Sequence, residues 1–273
     1  MSLSSTDFAF VTTMVRQRSA IDLQPGKEYL VESRLAPVVR SIGESDLSAL
    51  VARLRRGDEV LSDAVVDALT TNETSWFRDQ HPFQAFTEHL LPELLEPPNR
   101  NLTIWSAACS SGQEAYSLAM LLLDRMPMHP GLHPQIIGTD ISPRMVERAR
   151  SGRYSQHEVN RGLPAGLLVK HFDQEGRDWV LQQQVRSMAR FEPGNLAHPA
   201  TRMPPCDIVF LRNVLIYFDV DTKRTVLGHV RRVLRPGGFL VLGAAESTLT
   251  LDAAFQRMEL GRAVVFQHTG GSQ

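Results

Sequence analysis

Leu102-Thr-Ile-Trp-Ser106, running directly into Ala107-Ala-Cys-Ser-Ser-Gly112-Gln-Glu114, decides the fold. A five-residue β-rich run meets a loop of small residues, and a helical pattern follows from Glu114 to Met126. The same rhythm recurs downstream. Gln135–Thr139 precedes a helix predicted over Pro143 to Ser151, and Asp207–Leu211 precedes one over Asp221 to Leu234, which leads into Phe239–Gly243. Continuous apolar strands alternating with helices form a parallel sheet covered on both faces, so the class is α/β. At the end of the chain, residues 255–260 and 262–267 flank Gly261 with no room for a helix, which predicts an antiparallel hairpin.

Upstream, from Ser5 to about Thr71, the apolar positions recur at helical spacing: Phe8, Val11 and Val15, then Leu35 and Val38-Val39, then Leu47, Leu50, Val51 and Leu54, then Leu61 to Leu69. Pro25-Gly26, Gly43 and Gly57-Asp58 punctuate this stretch, and Ser45 and Asp46 suit a helix N-cap. A third texture lies between Leu168 and Pro193. There Lys170-His-Phe, Trp179-Val-Leu-Gln and Val185–Phe191 alternate like strands of a small exposed sheet inserted in the α/β part. The expected organisation is a helical domain with its linker over 1–88 and an α/β domain over 89–273, carrying an insertion at about 168–193.

With 273 residues, 42% hydrophobic content and a net charge of -1, the chain can bury a sizeable core but has no global attraction to nucleic acid or an anionic membrane. No apolar run approaches a membrane span, and Met1 to Phe10 lacks the pattern of a secretory signal, so a cytoplasmic protein is expected. Cys109 and Cys206 have neither the number for a disulfide framework nor the spacing with histidines for zinc. They read as reduced thiols.

Between the two halves, Thr71-Asn72-Glu73-Thr74-Ser75-Trp76-Phe77-Arg78-Asp79 packs amide, hydroxyl, aromatic and guanidinium groups into one segment and reads as a site. The other candidates follow from the fold, because open parallel sheets bind ligands at the carboxyl ends of their strands. The first strand gives Ala107 to Glu114, whose small residues permit close backbone approach but lack the glycine spacing of a pyrophosphate loop. The second gives Asp140, either a ribose-binding acid or a helix cap. Asn195-Leu196 could frame an adenine or merely form a turn. Arg212-Asn213 ends an apolar strand, with Tyr217-Phe218 just beyond as lid or core aromatics.

Five signatures stand in order: residues 71–78; Trp105-Ser-Ala-Ala-Cys-Ser-Ser-Gly-Gln-Glu-Ala-Tyr-Ser117; Gly138-Thr-Asp-Ile141; Ala149-Arg-Ser-Gly-Arg-Tyr154; and Phe210-Leu-Arg-Asn-Val-Leu-Ile-Tyr-Phe-Asp219. Over nearly its whole length the sequence resembles the CheR family, the chemotaxis receptor glutamate O-methyltransferases. That resemblance implies an all-helical N-terminal domain and a class I (Rossmann-like) methyltransferase domain with an inserted small antiparallel β-subdomain. It also implies S-adenosylmethionine as methyl donor, S-adenosylhomocysteine as product, no metal, and receptor glutamate γ-carboxylates as acceptors. By motif match, Asn72, Thr74 and Arg78 would contact the cofactor from the linker. Ala107, Glu114, Asp140, Asn195, Leu196, Arg212 and Asn213 complete its site, and Arg78 and Tyr217 are the candidates for orienting the reacting groups. The chain departs from the commonest family pattern at Gln113 and Ala115, where many members carry an acid and a proline.

The implied partner is the cytoplasmic helical bundle of chemoreceptors, with no nucleic acid and no membrane insertion, and nothing requires more than a monomer. Arg34, Arg40, Arg53, Arg55 and Arg56 become a docking strip on that reading and a solvated face without it. Some family members capture a receptor's C-terminal pentapeptide on the β-subdomain. Here the turn Asp173–Asp178 is shorter and poorer in glycine, which predicts no tail-peptide binding. Two other readings are a methyltransferase for a different acceptor and a cofactor-sensing module without chemistry.

Overall fold

A computed structural model describes residues 3–96, 101–199 and 202–270, and by mutual contact the chain divides into two compact units. One comprises Met1–Thr71 with Tyr217–Thr222, the other Asn72–Ile216 with Lys223–Gln273.

The first unit is built on helices α1 (Ser5–Ser19), α2 (Glu28–Ser41), α3 (Leu47–Arg55) and α4 (Glu59–Leu69). Side chains of Ser4, Asp46 and Asp58 accept the backbone N–H three residues on, so three of these helices start where a short polar side chain can replace a missing backbone partner. The inward stripes, among them Val11, Val15, Val31, Leu35, Leu50 and Val65, are buried. The arginines of the expected docking strip are partly consumed inside this unit. Arg53 pairs with Glu44 and Asp58, Arg55 pairs with Asp7 and lies over the Phe10 ring, and Arg34 donates to Leu69 O and Thr71 Oγ1. Arg40 and Arg56 are exposed.

The second unit holds a seven-stranded sheet. Its strands are β1 (Asn101–Ala107), β2 (His133–Asp140), β6 (Ala189–Pro193), β7 (Cys206–Leu211), β8 (Leu234–Leu242), β9 (Phe255–Leu260) and β10 (Ala263–His268), in the order β6-β2-β1-β7-β8-β10-β9. The first five run parallel and the last two form the expected antiparallel hairpin. Order reverses between β1 and β7, whose ends align with Ala107 opposite Leu211, so the ligand crevice of such a sheet falls there. All six residues of β7 are buried because the sheet is covered on both faces. Phe210 packs against Phe83 and Phe86 from the helical stretch after the linker.

A second sheet, ordered β3-β5-β4, is made of β3 (Arg153–Ser155), β4 (Phe172–Glu175) and β5 (Asp178–Leu181) and is antiparallel throughout. Its membership differs from the pattern reading. Gln183–Arg186 is a helical turn, and the following strand, β6, joins the edge of the large sheet beside β2. That edge is protected: Arg150 donates through Nε and Nη2 to Phe191 O, and Pro193 brings no N–H. Among the described residues no helix is long and apolar enough to cross a membrane.

Candidate functional site

The loop after β1 is held open by backbone geometry. Ala108 and Ser110 have φ of 59° and 49°, and Gly112 sits at 93° immediately before the helix Gln113–Arg125. A Cβ at Gly112 would press on Ala149 Cβ at 3.0 Å, so glycine is required by space as well as by φ. Cys109 N–H donates to Thr139 O, and Ser110 N–H donates to Asp140 Oδ2 at 2.7 Å, which fastens the loop to the tip of β2. Asp140 is 5% exposed, and its other oxygen accepts from Ser142 N–H at 2.9 Å. It therefore shapes the loop itself, its two oxygens gathering backbone N–H groups on either side of the β2 tip. Ser142, and not Asp140, accepts from Met145 N–H as the cap of the next helix.

Glu114 enters from the first turn of the helix Gln113–Arg125. Its Oε1 accepts from Ser106 Oγ at 2.7 Å, and its Oε2 takes Arg212 Nη1 at 3.0 Å. The departures from the family pattern leave this geometry intact: Gln113 Oε1 accepts from Ser111 Oγ, and Ala115 is fully buried.

Arg212 follows β7 and is spent on protein partners more than the sequence suggests. Besides Glu114, its Nη2 donates to Arg78 O at 2.7 Å and Asp79 Oδ2 at 2.8 Å, and the guanidinium lies over Phe83. It clamps the 78–79 turn to the switch point of the sheet. Its Nε and the neighbouring Asn213 Oδ1 are buried and have no hydrogen-bond partner among the described residues. A donor and an acceptor left unmatched at a sheet's ligand crevice suit a polar ligand, since burying them unpaired costs about 1–3 kcal/mol each.

The linker is tied into the same place. Ser110 Oγ donates to Asn72 O at 2.8 Å, Phe77 N–H donates to Ser117 Oγ at 3.2 Å, and Arg78 Nη1 donates to Glu73 O at 3.2 Å. Thr74 is half-buried between these anchors. Asn195 Oδ1 accepts Ala197 N–H to form its own turn, while Leu196 O accepts from His229 Nδ1 at 3.0 Å, which fixes the tautomer of that histidine. Tyr217 belongs to the other compact unit. It ends the turn Leu215–Tyr217, groups with the helical unit, and accepts Asp22 N–H on its carbonyl.

Of the eight described non-glycine residues with positive φ, six (Phe77, Asp79, Gln80, Ala108, Ser110 and Asn213) fall in the linker, the β1 loop and the β7 tip. Strained backbone concentrated in three segments that meet is the pattern of a candidate site. One residue absent from the sequence reading helps to hold it. The Glu246 carboxylate accepts from the N–H groups of Gly243, Asn213, Val214 and Leu215 at 2.7 to 2.9 Å. Its signal was an acid four residues beyond the β8 tip.

Cys109 is a buried free thiol. Burial, reinforced by the Asp140 and Glu114 charges, pushes its thiol well above the ordinary range. Among the described residues no three His, Cys, Asp or Glu side chains gather to hold a metal.

Comparison with known proteins adds relatives to this geometry. The family profile described as "CheR methyltransferase, SAM binding domain" matches residues 72–264, and "CheR methyltransferase, all-alpha domain" matches 6–70. The chain is 37% identical over 272 residues to chemotaxis protein methyltransferase 1 of Pseudomonas aeruginosa, covering 98% of this chain and 99% of that one. It is 38% identical to chemotaxis protein methyltransferase 1 of Vibrio cholerae, with 98% of each chain covered. The chemotaxis protein methyltransferase of Escherichia coli is 33% identical, over 93% of this chain and 89% of its own.

Proposed function

Since the chain belongs to the CheR methyltransferase family, we propose that it transfers the methyl group of S-adenosylmethionine to the γ-carboxylate of chemoreceptor glutamates, leaving glutamyl methyl esters and S-adenosylhomocysteine. The observation that carries this reading is the unmatched pair Arg212 Nε and Asn213 Oδ1 at the switch point, with Arg212 bonded to Glu114.

When bound, S-adenosylmethionine supplies an electrophilic methyl group on a sulfonium sulfur. Glu114, Asp140, Asn195, Leu196, Arg212 and Asn213 would hold it, with Ala107 and the loop backbone against it and Asn72, Thr74 and Arg78 closing from the linker. Glu114 and Asp140 are acidic, which suits a cationic ligand without a pyrophosphate. An acceptor glutamate has an ordinary pKa of about 4.3, so it is already an anion near neutral pH and needs no general base. The chain's own work is then to orient that carboxylate and keep water away. Arg78 and Tyr217 are assigned the orienting role. The β4–β5 connection is a tight turn with Gly176 at φ 65°, and the enzyme is assigned a receptor encounter that needs no tail peptide. Calorimetric detection of tight binding by a receptor C-terminal pentapeptide would reverse that assignment.

The test is incubation with methyl-labelled S-adenosylmethionine and chemoreceptor-bearing membranes, followed by measurement of base-labile label on the receptor band. Label is expected from the wild type and not from Asp140→Ala. Absence of label from a wild-type protein that binds S-adenosylhomocysteine would assign a different acceptor or a sensing role.

A further inference from the structure

The function proposed above gives no role to the signature ending at Tyr154, yet Tyr154 is fully buried and touches both the β1 loop and the linker. Its hydroxyl donates to Ser111 O at 2.7 Å, within the loop after β1. Its ring meets Trp76 of the linker edge-on, with centroids 4.9 Å apart, and both rings pack on Phe172 of β4. Burial holds the Tyr154 phenol well above its ordinary pKa, so it remains a donor across the working pH range.

A second set of contacts fixes the same stretch of linker to the same neighbourhood. The Trp76 backbone N–H donates to Arg161 O at 3.0 Å, and Arg161 pairs with Glu73 at 2.9 Å. Gly162 has a φ of 93°, and any Cβ there would overlap the Trp76 carbonyl. The three-stranded sheet and the turn after β3 are thus a common floor for the linker and the β1 loop.

We propose that Tyr154 is a positioning residue through which the three-stranded sheet sets the cofactor loop by its hydroxyl and the linker by its ring. The ligand in this inference rests on the function proposed above. Two substitutions separate the two contacts. Tyr154→Phe deletes only the bond to Ser111 O, and Tyr154→Leu also deletes the edge-on contact with Trp76.

The experiment combines calorimetry with S-adenosylhomocysteine, methyl-transfer kinetics and amide hydrogen exchange on the full chain. For Tyr154→Phe, Kd for S-adenosylhomocysteine and KM for S-adenosylmethionine are expected to rise about five- to ten-fold, the worth of one neutral hydrogen bond, with kcat within about two-fold. Exchange should quicken in residues 109–112 and stay unchanged in 73–78. Tyr154→Leu should quicken both segments and lower kcat as well. A Tyr154→Phe protein with unaltered Kd and unaltered exchange in 109–112 overturns the proposal, even if its Tm falls, because a merely structural tyrosine would lower Tm alone. A wild type that fails to bind S-adenosylhomocysteine while the exchange pattern appears as described overturns the functional reading and leaves the positioning role standing.

Discussion

At the level of single residues, Glu246 does for the β7 tip what Asp140 does for the β1 loop: a carboxylate gathers backbone N–H groups that the ends of strands leave unpaired. The four groups it collects include that of Asn213, whose φ of 57° is a left-handed conformation uncommon outside glycine. Glu246→Ala should therefore lower stability by about 2 kcal/mol, read from urea unfolding, and weaken S-adenosylhomocysteine binding about ten-fold in calorimetry. Unchanged affinity would show that Asn213 keeps its conformation without the anchor. Single residues were also where the sequence was least legible. Position marked the candidates: Asp140 and Arg212 at the ends of apolar strands, and Glu114 where the small-residue loop after the first strand runs into its helix. That Arg212 uses its guanidinium on Glu114, Asp79 and the Arg78 carbonyl depends on three segments meeting, with up to 134 residues between partners, and no local pattern encodes it.

Elements were legible in proportion to their burial. β1, β2, β7 and β8 stand out as short apolar runs because both faces are covered, and the helix Pro143–Ser151 was set by Ser142 and Pro143 at its start. The run Val185–Phe191 misled because alternation states that a chain is extended without naming its partner. Its first residues make a helical turn, and its last ones add to β2. The same region carries a buried histidine whose effect can be predicted. His171 ends the helix Ala165–His171, its side chain is 2% exposed, and both ring nitrogens lack hydrogen-bond partners among the described residues. Burial lowers its pKa; Asp124, 3.8 Å away at the end of the helix Gln113–Arg125, opposes this, and Lys170, itself paired to Asp124, adds to it. A histidine that binds its proton more weakly folded than unfolded favours the native state above the unfolded pKa of about 6.5, and that contribution is lost as pH falls through the folded value. Urea midpoints measured at pH 7.5 and 5.5 should thus drop further for the wild type than for His171→Gln. Equal drops would mean that Asp124 compensates the proton in full.

For the molecule as a whole, 29 basic and 30 acidic residues cancel, so nothing long-ranged draws it to an acidic partner. If the acceptors are glutamates on a helical bundle, the attraction must come from cations that are not already neutralised within the fold. In the helical unit Arg53 and Arg55 are held by Glu44, Asp58 and Asp7, and Arg34 is bonded to Leu69 O and Thr71. Exposed pairs of that kind add less than about 1 kcal/mol of stability, but they remove the charge from any docking surface. Arg40 near the end of α2 and Arg56 just past α3 are exposed and have no ion pair among the described residues. The double substitution Arg40→Glu, Arg56→Glu should therefore raise KM for receptor membranes about five-fold at low ionic strength. The difference should shrink when salt shortens the screening length to about 3 Å at 1 M, and the affinity for S-adenosylhomocysteine should not move. A receptor KM indifferent to both the substitution and salt would take docking away from α2 and α3 and leave recognition to the segments that line the site.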